Sequence, residues 1–186
     1  MVQQTADSVQ PQKTDCAFLE LPGEIRNHIY AMAIYPELSS IVIVNCTKPE
    51  HLAVSVLNLP LFRVGRQIRA ECLSYMCSRF PIRILGLQTA IVFFSCVGPA
   101  ISEIKALALV QPAMSILESK ESRDTVEHFF AALNRMEDLN ELVLEDIGRN
   151  PMLEQSGKEL EFVRRVKDLS KRGLDVKVRF GKERVV

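Results

Sequence analysis

Ile104-Lys105-Ala106-Leu107-Ala108-Leu109 returns thirty-five residues later as Leu139-Asn140-Glu141-Leu142-Val143-Leu144, with its leucines in place. Apolar residues alternating at period two mark a half-buried strand, and a fixed spacing implies stacked supersecondary units. A third copy is imperfect. Thirty-five residues beyond Leu139 stands Leu174, which opens Asp175-Val176-Lys177-Val178-Arg179-Phe180, and Lys177 falls where Leu107 and Leu142 stand. Amphipathic stretches separate the copies. Arg123 to Met136 gathers Val126, Phe129, Phe130 and Leu133 on one side, and Gly157 to Arg172 gathers Leu160, Phe162, Val163, Val166 and Leu169. Each unit therefore reads strand, connection, helix, strand. Strands joined through a helix pair in parallel with right-handed crossovers. The expected class is α/β, a small, mostly parallel sheet with crossover helices on one face.

Working back toward the amino terminus, Ala90-Ile91-Val92-Phe93-Phe94 reads as a continuously buried strand, and Ile82 and Ile84 after Pro81 as another. A helix is expected from Pro60, with Leu61, Val64, Ile68, Cys72, Tyr75 and Met76 along one side. Ile41-Val42-Ile43-Val44 is a β-branched strand, followed by a loop through Lys48-Pro49-Glu50-His51. Pro22 suits a first helical turn and Glu24 suits the positive end of its dipole. That helix is expected to run to Pro36, with Ile25, Ile29, Met32 and Ala33 as its apolar stripe and Arg26 and Asn27 facing away. The whole arrangement resembles a short leucine-rich-repeat arc in architecture. The consensus of that repeat does not follow Leu109 or Leu144.

A chain of 186 residues can bury roughly 70% of its unfolded surface, enough for one sizeable core without metals or disulfides. Lys plus Arg and Asp plus Glu both total 23, so no general field favours nucleic acid or an anionic membrane. The basic lean from Lys167 to Arg184 has no interleaved aromatics and reads as a solvated face. Five cysteines, Cys16, Cys46, Cys72, Cys77 and Cys96, form no C-x-x-C pair, which points to a reducing compartment, cytoplasmic or nuclear. The polar opening residues are expected to be a disordered tail over 1–16. The longest apolar stretch, Ala90 to Ile101, is far short of the ~20 residues that span a bilayer.

Catalytic motifs are missing: the sequence has no G-x-S-x-G, P-loop, G-x-G-x-x-G or H-E-x-x-H. His28, His51 and His128 stand in unrelated settings. Glu145 and Asp146 follow a strand at its carboxyl end, where open α/β sheets bind ligands, and Glu141 shares the Glu145 face. Two carboxylates in a loop are more often just solvated. Cys72 and Cys77 read as small buried hydrophobes. No enzyme, metal or cofactor is expected.

Two blocks, Leu21-Pro22-Gly23-Glu24-Ile25-Arg26 and Val64-Gly65-Arg66-Gln67-Ile68-Arg69-Ala70-Glu71, resemble the F-box-like segment common in large families of fungal proteins. There a leucine-proline-x-glutamate-isoleucine-arginine helix is followed by a cysteine-arginine-glutamine-isoleucine-arginine-x-glutamate helix. Gly98-Pro99 through Leu109 is also similar to that family. Gly65 stands where the family has cysteine, and Ile68 where a conventional F-box has tryptophan. The resemblance implies an F-box-like segment over 17–80 leaning on an α/β segment over 81–186 that shares its core. It implies a Skp-type adaptor as partner, met by Leu19, Leu21, Pro22, Ile25, Ile29, Val64 and Ile68, and an unknown target protein presented to a cullin-RING ubiquitin ligase. The alternative expectation is a non-catalytic scaffold or regulator that keeps those helices as core and binds another partner.

Overall fold

A computed structural model of the chain describes residues 16–110, 120–147 and 161–180. All but the last residue of the expected amino-terminal tail, the first turn of the helix expected from Gly157, and Gly181 onward lie outside these residues. Five strands form one sheet: β1 (Ile41–Ile43), β2 (Ile82–Leu85), β3 (Ala106–Val110), β4 (Glu141–Ile147) and β5 (Asp175–Phe180). They lie in chain order, and every neighbouring pair is parallel. Successive parallel strands need a crossover between them, and the helices supply it.

The register explains the imperfect third copy. Leu107 pairs with Leu142, thirty-five positions on, but Leu142 pairs with Val176 and Val143 with Lys177. The last copy is therefore one residue short of the period. A one-residue shift turns a strand over, so Lys177 joins the outer face while Val176 and Val178 stay with the core. The inward rows are Ile41, Ile82, Leu107, Leu142 and Ile43, Ile84, Leu109, Leu144, all buried. On the outer face, Arg83 of β2 and Arg179 of β5 both pair with Glu145 of β4, and Lys177 pairs with Glu141 and Asp175.

Three helices pack on the inner face: α6 (Leu87–Val97), α7 (Lys120–Leu133) and α8 (Glu161–Leu169), numbered after the amino-terminal helices given below. Phe93, Phe94, Phe129, Phe130 and Phe162 form a continuous aromatic chain with ring centroids 5.5 to 6.1 Å apart, inside the range where aromatic pairs attract.

Residues 90–94, expected as a strand, are the middle of α6. Ala90, Val92, Phe93 and Phe94 are all buried and Ile91 half-buried, and the helix's polar side is supplied by exposed Gln88 and Ser95, which lie outside the 90–94 run, so the run itself carries no 3.6-residue signature. Gly86 and Gly98, with φ of 83° and 58°, bracket it in backbone conformations that other residues rarely adopt. Two further expectations change. The loop at 48–51 is the start of α3 (Pro49–Val54), with proline in its first turn. The helix expected from Pro60 is two, α4 (Leu61–Val64) and α5 (Arg66–Arg79), separated by extended Gly65.

The amino-terminal part contributes α1 (Ala17–Glu20) and α2 (Gly23–Ala33). One hydrophobic cluster takes in Tyr30 and Ile34 from this end, Met76 and Cys77 of α5, and Phe162 and Val166 of α8, so residues on both sides of position 80 share a core. Among the described residues no helix is long and apolar enough to cross a membrane.

Candidate protein-interaction surface

The two sequence blocks meet through their charged letters. Arg26 of α2 donates Nε to Glu71 Oε2 at 2.8 Å and Nη2 to Glu71 Oε1 at 3.1 Å, a two-pronged contact with α5. Such paired N–H donors fix orientation as well as position. The same guanidinium donates to the carbonyls of Leu19, at 3.3 Å, and Leu21, at 2.5 Å, closing the end of α1. Tyr30, fully buried, donates its hydroxyl to Glu71 at 2.9 Å, and Gln67 adds a fourth donor at 3.1 Å. The Arg26 guanidinium holds the Glu71 carboxyl below the usual glutamate range, and Tyr30 and Gln67 add to the effect. Burial, and then Glu71, pushes the Tyr30 hydroxyl well up.

This clamp decides which way α2 faces. Arg26, Tyr30 and the capping residue Ile34 recur four apart and form the inner side. Ile25 and Ile29 each precede an inner residue by one position, roughly 100° round the helix, and Met32, seven on from Ile25, continues that side. That rotation brings them out of the core: Ile25 is 49% exposed and Met32 62%, with Ile29 half-buried. Arg26, expected to face away, is thus the inward group, and the aliphatic stripe is the outward one.

The seven residues expected at an adaptor surface divide accordingly. Pro22 and Ile25 are exposed, as is Val64, at 60%, at the end of α4 just before Gly65. Leu21 and Ile29 are half-buried, and Leu19 is half-buried against the core cluster. Ile68 requires a correction. It is only 4% exposed, because α5 turns Ile68, Cys72 and Met76, four residues apart, into the core, so its side chain cannot meet a partner. The break at Gly65 separates Val64 from that inward row.

Elsewhere the expected candidates for chemistry have structural partners. Glu145 accepts hydrogen bonds from Arg83 and Arg179, and Glu141 from Lys177, so these carboxylates tie strands together. The side chain of Asp146 lies outside the described residues. His28, His51 and His128 are all exposed and stand on three different helices. Burial pushes the thiol of Cys72 up to about 11 and that of Cys77 to about 12, as expected of core cysteines. Among the described residues no group of His, Cys, Asp and Glu is placed to hold a metal ion.

No protein-family model matches the chain, and no curated protein matches it. A solved structure, that of Proteus mirabilis N-acetylneuraminate lyase, is similar at a TM-score of 0.34 and 11% identity, over 87% of this chain and 50% of that one. This chain thus spans half the length of that lyase, and likeness of this degree says nothing about activity.

Proposed function

We propose that this protein is a protein-interaction module that works as an F-box-like adaptor, docking on a Skp-type protein through α2 and presenting a target to a cullin-RING ubiquitin ligase. The observation supporting this reading is the outward row Ile25, Ile29 and Met32. Its aliphatic side chains are kept out of the core by the Arg26–Glu71 clamp, although a core would have taken them. A helix that offers anchors at i, i+4 and i+7 suits a groove on a partner. A side chain of this kind contributes about 1.5 to 3 kcal/mol when fully buried. The mechanism is positioning, without reaction or cofactor: one surface takes the adaptor and another the target, at a distance fixed by the sheet between them. The place of action is the cytoplasm or the nucleus.

Pull-down with a purified Skp-type adaptor tests this reading. Ile25→Asp and Met32→Asp are expected to lower retention at least tenfold. Both side chains already face water, so unfolding free energy should stay within about 0.5 kcal/mol of wild type. Equal retention of wild type and variants, or retention of neither, with circular dichroism unchanged, would reject it. The second reading is a scaffold or regulator that docks another protein on the same row. The burial of Ile68, which removes one of the expected adaptor contacts, favours it.

A further inference from the structure

A groove of about 600 Å³ runs between α5 and the 3-10 turn Gly98–Glu103 that follows α6. It brings together the second sequence block and the Gly98-Pro99 step, which lie far apart in the chain, and none of Ile25, Ile29 and Met32 borders it. Leu73, Val97 and Pro99 give it apolar lining, and Arg66 and Arg69 give it cations. Its volume lies within the range of ligand-sized clefts.

The charges around it are unbalanced. Of the two lining carboxylates, Glu71 is taken by Arg26, and Glu103 accepts the Ser74 hydroxyl at 2.7 Å. Among the described residues no carboxylate pairs with Arg66 or Arg69, and Arg69 uses one N–H on the Phe62 carbonyl at 3.4 Å. With Glu71 neutralised, two guanidiniums face one carboxylate, an excess of one positive charge. The arginines also sit in the opening turns of α5, which has no acidic residue in its first turn, so they oppose the helix dipole where acids would stabilise it. Breaks in local preference of this kind are expected at functional or strained sites.

We infer that this groove is a docking site for a partner-protein segment in which an aliphatic side chain stands beside an aspartate or glutamate, the aliphatic group lying on Leu73, Val97 and Pro99 and the carboxylate between Arg66 and Arg69. Charge complementarity selects this occupant: a basic segment would meet two cations, and an uncharged one would leave them unpaired. The site goes beyond the α2 reading and does not depend on it.

The test uses the full chain as bait for a phage-displayed random dodecapeptide library. Counter-selection is on Ala70→Trp, which fills the groove from an exposed position without altering charge. One enriched peptide is then labelled with fluorescein and titrated by fluorescence polarisation. The expected result is a peptide with an acidic residue beside an aliphatic one, whose affinity falls at least tenfold in Arg66→Glu/Arg69→Glu. Ile25→Asp should bind it unchanged, and the arginine variant should still retain the Skp-type adaptor if α2 docks it, so failure of one site is distinguishable from failure of the other. No peptide sensitive to Ala70→Trp, peptides without acidic residues, or affinity unaffected by the charge reversal in a folded protein would each overturn the inference.

Discussion

Glu71 receives donors from Arg26, Tyr30 and Gln67, and Arg26 also covers the last carbonyls of α1, so protonating one carboxylate loosens two helices from a third. The sign of the resulting pH dependence follows from the depressed folded-state value. Folded Glu71 binds fewer protons than unfolded Glu71, whose value is about 4.3, so its contribution is complete above that value and is lost as pH falls through the lower folded one. Glu71→Gln should therefore be less stable than wild type at pH 7, with the gap closing below about pH 4. Urea melts of both proteins across that range check this, and a gap that stays constant would assign the loss to shape and not to charge. Both residues were visible as letters of a motif. Their pairing was not, because forty-five positions separate them and neither block alone says what the other turns toward it. The outward stripe was legible as a stripe, yet its direction was set by this clamp. A half-buried arginine had outcompeted three aliphatic neighbours for the inner face, against the usual expectation that apolar stripes face the core.

Helix α6 shows where periodicity stops being informative. A five-residue apolar run such as 90–94 is the same string whether it is helix or central strand, and length, the exposed polar flanks Gln88 and Ser95, and the bounding glycines separate the two. The strands themselves were easier to read, since one face of each meets helices and the other meets water, which leaves the alternation intact at Ile82-Arg83-Ile84 and Leu107-Ala108-Leu109. Even the shifted third copy was written in the sequence at Lys177, although its cause, a one-residue change of register, needed the pairing to be seen. Because Phe93 of α6 is fully buried and touches Phe94 in the aromatic chain that continues to α7 and α8, its loss should be felt beyond its own helix. Phe93→Ala is expected to cost about 3 to 5 kcal/mol in chemical denaturation, the range for a large aromatic leaving a cavity. A cost below 1 kcal/mol would mean that α6 is not packed in the core as described.

At the scale of the molecule, the amino-terminal helices are not a detachable unit. Strand β1 lies within residues 17–80, but its partner β2 begins at Ile82, and Ile41 and Ile43 align there with Ile82 and Ile84. A fragment ending at residue 80 would leave a three-residue strand without a neighbour and would uncover Met76 and Cys77, both fully buried in the intact chain. Short strands do not persist alone in water. The 17–80 fragment should accordingly show no cooperative thermal transition, while the full chain melts in a single one by circular dichroism and fluorescence alike. A sigmoidal melt of the fragment would show that the amino-terminal part stands on its own core. The expected result bears on both proposed surfaces. The α2 row and the α5 groove are then held by one cooperative fold, so a destabilising core substitution such as Phe93→Ala should weaken both together as the folded fraction falls. Ile25→Asp and Arg66→Glu/Arg69→Glu should each remove one alone, and that difference separates a bridge between two partners from a single sticky surface.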